Sequence, residues 1–249
     1  MSTVQTLVGK FVWHENYSGD PDATRQFYNQ LLGWGTEIWK PGEADYGMIQ
    51  VGDQAHGGIV KSPEGGSAAW LGSVLVEDVD ETVRKAEAAG GKVVAGPEDM
   101  PEVGRFAVIS DPQGAVIAAY TPAGDAPNPE GTFVWDELHT SDPDAAKDFY
   151  NEIFGWTAQS MEMGEGGTYT IFKRAGDTDV AGALKAPEGA PTAWIPYIAT
   201  DDVDTTAARA KELGGKVIQE PTDIPNMGRF AIVIDPAGGT FGLWKGTPQ

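Results

Sequence analysis

The 249-residue chain contains no cysteine. That excludes disulfides, thiolate-held zinc or iron–sulfur centres and thiol nucleophiles. Histidine is scarce, with three residues, His14, His56 and His139. No apolar run approaches the roughly 18 residues a membrane-spanning helix needs. Residues 1–10 lack the charged and apolar regions of a signal peptide, so a cytoplasmic location is expected. Positive charge is also thin: 17 Lys and Arg stand against 37 Asp and Glu, a formal charge of −20. Such a surface repels phosphate backbones and anionic headgroups, which argues against nucleic acid or a membrane as partner. It is compatible with solubility and with a cationic small molecule. Finally, there is no phosphate-binding glycine loop, nucleophile elbow or His-Glu-x-x-His motif.

What the chain does have is itself, twice. Phe11-Val12-Trp13-His14-Glu15 returns as Phe133-Val134-Trp135-Asp136-Glu137, 122 residues later. Asp20-Pro21, Phe27-Tyr28-Asn29 and Gly33-Trp34 return as Asp142-Pro143, Phe149-Tyr150-Asn151 and Gly155-Trp156. With an offset of 124, Ala69-Trp70, Gly104-Arg105-Phe106-Ala107 and Asp111-Pro112 return as Ala193-Trp194, Gly228-Arg229-Phe230-Ala231 and Asp235-Pro236. A period above 100 residues means duplicated domains rather than a solenoid of short units. We expect a first domain over 1–122, a Pro-rich linker over 123–130 and a second domain over 131–249.

Each copy divides again. Residues 10–17 alternate and are rich in aromatic and β-branched types, which predicts a strand. Asp20-Pro21 combines a capping Asp with Pro at the first helical position, and Gly33 stops the helix. Short strands follow near 36–40, 46–51 and 57–61. The pattern restarts with a strand at 70–76, a helix over 79–89 and strands at 92–95, 105–109 and 115–120. The second half repeats this, with strands at 132–139 and 194–200 and helices over 143–154 and 203–213. The chain is therefore four βαβββ units, an α+β protein.

Four such units, with Asp-Pro, Phe-Tyr and Gly-Trp early in each half and Asp111-Pro112-Gln113-Gly114 or Asp235-Pro236-Ala237-Gly238 late, resemble the vicinal-oxygen-chelate superfamily. This is the glyoxalase/bleomycin resistance protein/extradiol dioxygenase fold, and the chain looks most like its two-domain glyoxalase-like or hydroxylase type. The resemblance implies curved, cup-like sheets around a small-molecule ligand, in a monomer with two pseudo-symmetric halves or in a homodimer. It implies a divalent metal (Zn, Ni, Mn or Fe) in members that act as lyases or dioxygenases. Their ligand positions fall here on Trp13, Trp135, Ala118 and Gly242, and near Leu71 and Ile195. None of these side chains binds a metal, so the usual ligand set is expected to be missing.

Alternation places Trp13, Glu15 and Tyr17 on one strand face, and Trp135, Glu137 and His139 on the matching face of the second copy. The opposite face would turn Val12 and Val134 toward the helix. The candidates for proton transfer are Glu137, His139 and Glu15, with Glu137 and His139 also a candidate displaced metal site. For His139 the plain alternative is a strand-end histidine hydrogen-bonded at the rim. Candidate ligand contacts are Trp13, Trp135, Tyr17, Arg105, Arg229, Tyr120 and Trp244. The two arginines would either pair with Glu15 and Glu137 or clamp a ligand carboxylate. His14 has the wrong parity for the cup, and His56 is an isolated candidate ligand with no counterpart in the second half. Tyr46, Tyr169 and Tyr197 read as core residues. Two functions stay open beside the plain alternative of a scaffold or regulator with vestigial cups. One is an enzyme acting on a small oxygenated organic molecule. The other is a non-catalytic binder of an aromatic or cationic compound.

Overall fold

The computed structural model describes residues 6–40, 45–127, 131–163 and 167–247. The first half runs β1 (Phe11–Ser18), α1 (Pro21–Leu32), β2 (Gly35–Trp39), β3 (Tyr46–Val51), β4 (Gln54–Lys61), β5 (Ala69–Leu75), α2 (Val79–Ala88), β6 (Lys92–Met100), β7 (Gly104–Ser110) and β8 (Val116–Pro122). The second runs β9 (Phe133–Thr140), α3 (Pro143–Phe154), β10 (Thr157–Glu162), β11 (Thr168–Arg174), β12 (Thr178–Lys185), β13 (Ala193–Ala199), α4 (Val203–Glu212), β14 (Lys216–Ile224), β15 (Gly228–Ile234) and β16 (Thr240–Gly246). These form two eight-stranded sheets of identical order, β2-β3-β4-β1-β5-β8-β7-β6 and β10-β11-β12-β9-β13-β16-β15-β14. No described helix is long and apolar enough to cross a membrane.

Local signals set the helix ends. The Asp20 carboxylate accepts the Ala23 N–H, Pro21 opens α1, and Gly33 closes it in the left-handed region at φ 72°. Asp142, Pro143 and Gly155 repeat the arrangement around α3. Strand β6 runs on to Met100, well past the expected end near residue 95. Register shifts between Val93 and Glu98 absorb Pro97, and β6 lies at a sheet edge, where a missing N–H is tolerated. Residues 128–130 of the expected linker lie outside the described residues.

Packing gathers the chain into two compact units. One holds the segment ending at Trp13, Gly72–Pro127 and Trp135–Trp194; the other holds His14–Leu71, the segment ending at Val134, and Ile195 onward. The core of the first unit packs Val83 and Ala86 of α2 with Phe149 and Ile153 of α3, and with Trp156, Phe172 and Trp194. The core of the second packs Phe27 and Tyr28 of α1 with Ala207 and Ala210 of α4, and with Trp34, Trp70 and Phe241.

The repeated motifs meet at one point in each core. In the first unit the Trp194 indole N–H donates to the Tyr150 hydroxyl (2.9 Å), which donates to Asp111 Oδ2 (3.0 Å). Asp111 Oδ1 accepts the backbone N–H groups of Gln113 and Ala115, closing the turn before β8. In the second unit Trp70, Tyr28 and Asp235 repeat the chain, and Asn16 adds a further donor to Asp235. Asp235 Oδ1 closes the turn before β16 through the N–H groups of Ala237, Gly238 and Gly239. Ala-Trp, Phe-Tyr and Asp-Pro-x-Gly are thus one hydrogen-bonded construction. Burial raises the pKa of Tyr28 and Tyr150 well above the ordinary value, the neighbouring Asp adding to it.

Candidate functional site

Strand β1 alternates cleanly. Val12, His14, Asn16 and Ser18 are buried, whereas Phe11, Trp13, Glu15 and Tyr17 are half-buried. The face carrying Trp13, Glu15 and Tyr17 is therefore separate from the core side, as the parity requires. His14 lies on the other side, its ring stacked on Phe133 with centroids 4.1 Å apart. The opposite face departs from expectation. Val12 packs with Leu7 and Leu75 rather than with α1. Val134 is 38% exposed. At the start of β9 it is Phe133 that enters a core, against Trp34 and Trp70.

On β9 the Glu137 carboxylate is held at both oxygens. Tyr169 on β11 donates its hydroxyl to Oε2 at 2.8 Å, and His139 Nε2 lies 2.8 Å from Oε1. The Trp135 indole N–H donates in turn to the Tyr169 hydroxyl at 2.9 Å. The side chains of His139 and Glu137 retain 12% and 10% exposure. Burial, reinforced by the Glu137 charge, raises the Tyr169 hydroxyl far above its ordinary value, so its proton stays in place to be donated.

The first half builds the same scaffold with a different tip. Tyr46 on β3 donates to Glu15 Oε1 at 2.8 Å, and Tyr17 also hydrogen-bonds this carboxylate. Burial raises the Glu15 pKa above its ordinary 4.5, although both tyrosines oppose the shift. Burial and the Glu15 charge raise Tyr17 as well.

A carboxyl group with a raised folded-state pKa supports the fold most fully below its unfolded value, and that support is lost as the pH rises through the folded value. Glu15→Gln keeps an acceptor for Tyr46 and removes the desolvated charge. It is expected to stabilise the protein by about 1 kcal/mol at pH 8 and by less at pH 5.5, read from urea unfolding at the two pH values. A gain that is no larger at the higher pH would show that the carboxylate is well solvated.

Glycine makes room for both tyrosines. Gly58 on β4 is opposite Glu15 in register, and a Cβ there would sit 2.2 Å from the Tyr46 hydroxyl. Gly182 on β12 is opposite Glu137, and a Cβ there would sit 1.9 Å from the Tyr169 hydroxyl. Tyr46 and Tyr169, expected in the core, are therefore brought to the candidate carboxylates. The sequence signal for them is a Tyr on the third strand repeated beside a repeated strand glycine.

The other candidates are placed elsewhere. Arg105 forms a bidentate pair with Asp80 and a further contact to Asp99, and Arg229 repeats this with Asp204 and Asp223. Neither guanidinium is bonded to Glu15 or Glu137. The nearer acids sit on the adjoining helix start and strand, within easy reach of an exposed arginine. Tyr120 donates its hydroxyl to the Val103 carbonyl at 2.8 Å. Trp244 covers Gly228, where a Cβ would lie 2.7 Å from the indole. His56 is buried at a register shift of β4, and burial lowers its pKa. Its repeat counterpart Val180 packs against the core of its own unit, which reads His56 as a core residue.

At the positions where the resemblance would put metal ligands, Leu71, Ala118 and Ile195 are buried apolar residues. Gly242 lies under Tyr197, whose ring atoms come within 2.3 Å of a built Cβ. Among the described residues no three His, Asp or Glu side chains are grouped to hold a metal ion. The donor set present does not fit the divalent ion that the fold implies.

Paired βαβββ modules in two like sheets, each with a Glu on its first strand held by a Tyr of its third, define a duplicated glyoxalase-type fold. The profile of the glyoxalase/bleomycin resistance protein/dioxygenase superfamily matches residues 11–119 and 133–243, and the chain belongs to that superfamily. It is 38% identical over 249 residues to "Putative glyoxylase CFP32" of Mycobacterium tuberculosis, covering 95% of each chain. It is 30% identical over 257 residues to "Anthracycline biosynthesis protein DnrV" of Streptomyces peucetius, covering 94% of this chain and 92% of that one. Among solved structures it resembles the Mn(II)-bound glyoxalase from Novosphingobium aromaticivorans. The TM-score is 0.65 at 17% identity, covering 96% of this chain and 84% of that one, a likeness of fold.

Proposed function

We propose that this protein binds a small oxygenated organic molecule against the Trp135–His139 face of β9 and that the Glu137–His139 pair moves a proton on it without a metal. The observation that carries this reading is the 2.8 Å contact between His139 Nε2 and a carboxylate whose other oxygen is already held by Tyr169. A carboxylate at Nε2 fixes the proton there and leaves Nδ1 as the basic nitrogen, the arrangement general-base catalysis uses. For a carbonyl substrate, Nδ1 takes a proton from the adjacent carbon. The C–H electron pair passes into an enolate, and the imidazolium returns the proton to carbon or oxygen. The names of the relatives, a glyoxylase and an anthracycline biosynthesis protein, agree with an oxygenated substrate.

The test is solvent deuterium incorporation into a panel of 1,2- and 1,3-dicarbonyl compounds and polyketide quinones, followed by NMR in D₂O with and without chelator. Exchange that survives chelation and falls by about 10²- to 10⁴-fold in both His139→Ala and Glu137→Gln is expected. Tryptophan quenching by these compounds with no exchange at all would sink the catalytic reading in favour of a non-catalytic binder. Exchange abolished by chelator and restored by Zn²⁺, Ni²⁺, Mn²⁺ or Fe²⁺ would overturn the metal-free mechanism.

A further inference from the structure

We propose that Tyr169 and Trp135 are positioning residues that lock the Glu137 carboxylate in the orientation that receives the His139 ring N–H. The proposal rests on the preceding reading only in taking His139 as the proton-carrying group. The hydrogen bonds run in one direction. Trp135 has a single donor and gives it to the Tyr169 oxygen. A hydroxyl that accepts there directs its own proton elsewhere, and the partner within reach is Glu137 Oε2. With Oε2 held, rotation of the carboxylate is blocked and Oε1 stays against His139. The space for the Tyr169 hydroxyl exists because residue 182 has no side chain.

The duplication shows that this scaffold is separable from its tip. Gly58, Tyr46 and Glu15 reproduce Gly182, Tyr169 and Glu137 with the same 2.8 Å tyrosine–carboxylate bond. What changes is the last residue, Tyr17 in one half and His139 in the other. The chemistry of each face is therefore set by one residue on a common support. A histidine placed at position 17 should find Glu15 already oriented to receive it.

The experiment measures exchange of the His139 ring N–H in ¹⁵N-histidine-labelled, chelator-treated protein without any substrate. The wild type should show a slowly exchanging ring N–H that Glu137→Gln removes. Tyr169→Phe should speed its exchange about tenfold or more, as expected for losing a charge-assisted bond. Trp135→Phe, which keeps an aromatic ring, should speed it by a smaller factor, and Tyr46→Phe should leave it unchanged. Tyr17→His should add a second protected ring N–H, lost again when Tyr46→Phe is combined with it. Unchanged exchange in Tyr169→Phe would overturn the proposal. So would the absence of any slow ring N–H in the wild type. If Tyr169→Phe fails to fold, unchanged exchange in Trp135→Phe decides against it. A positive result here with no deuterium entering any carbonyl compound would leave the positioning intact and reject the proposed reaction.

Discussion

Asp235→Ala is expected to lower the unfolding free energy by about 3–5 kcal/mol, among the largest effects a single substitution produces. Its carboxylate is 3% exposed and accepts from Tyr28, from Asn16 and from three consecutive backbone N–H groups. Alanine leaves these donors without their carboxylate acceptor, the Gly238 N–H keeping its bond to the backbone carbonyl of residue 235. A buried donor left unpaired costs about 1–3 kcal/mol, and partial relaxation of the turn keeps the sum below the simple total. Asp111→Ala is expected to cost less, because Leu138 stands where Asn16 stands in the other half, so the donor that Asn16 supplies to Asp235 has no counterpart at Asp111. Urea unfolding followed by both tryptophan fluorescence and far-UV circular dichroism checks the ranking. A loss below about 1 kcal/mol for Asp235→Ala would show that water replaces the carboxylate at little cost.

The same residues explain what could be read without coordinates. Asp-Pro before a helix and Gly after it are local instructions: a carboxylate for free N–H groups, a fixed φ, a left-handed stop. They placed α1 and α3 correctly from sequence. The alternation of β1 follows from the two-residue period of a strand, so the face of Trp13, Glu15 and Tyr17 was legible, and so was the exclusion of His14 from it. The partners of Glu15 and Glu137 were not legible. Tyr46 and Tyr169 lie on a different strand, more than 30 residues away. Their approach depends on register and on a glycine of the strand between tyrosine and glutamate, neither of which has a local signature. Arg105 and Arg229 misled for the opposite reason. Their repetition was visible, but their acids belong to helix starts that pattern alone does not bring beside them. The two cores were hidden in the same way. The Tyr150–Asp111 and Tyr28–Asp235 bonds join residues of different repeats, so the motifs that looked like two self-contained signatures complete each other.

Gly182→Ala is expected to cripple the proposed proton transfer at the β9 face while leaving a folded protein. The added methyl would lie 1.9 Å from the Tyr169 hydroxyl, 2.5 Å from the ring carbon bearing it and 2.9 Å from the Trp135 indole nitrogen. The backbone at 182 is not in the left-handed region, so the clash alone drives the effect. The cheapest relief is for Tyr169 to swing aside, because it meets the methyl with the far end of a side chain. Swinging breaks its bonds to both Glu137 and Trp135 and frees the carboxylate. Overpacking of this kind costs about 1–3 kcal/mol of stability. Proton exchange, if the proposed reaction holds, should fall by about 100-fold, toward the level of a lost general base. Gly58→Ala is the control. It crowds Tyr46 in the first half just as closely, at 2.2 Å, and is expected to cost similar stability with little loss of exchange, because Tyr17 rather than His139 ends that chain. Adding Tyr169→Ser to Gly182→Ala removes the crowding ring and should recover stability without recovering exchange. Stability and exchange rising together in that double variant would show that the face needs only a well-packed sheet beneath it, and not a tyrosine aimed at Glu137.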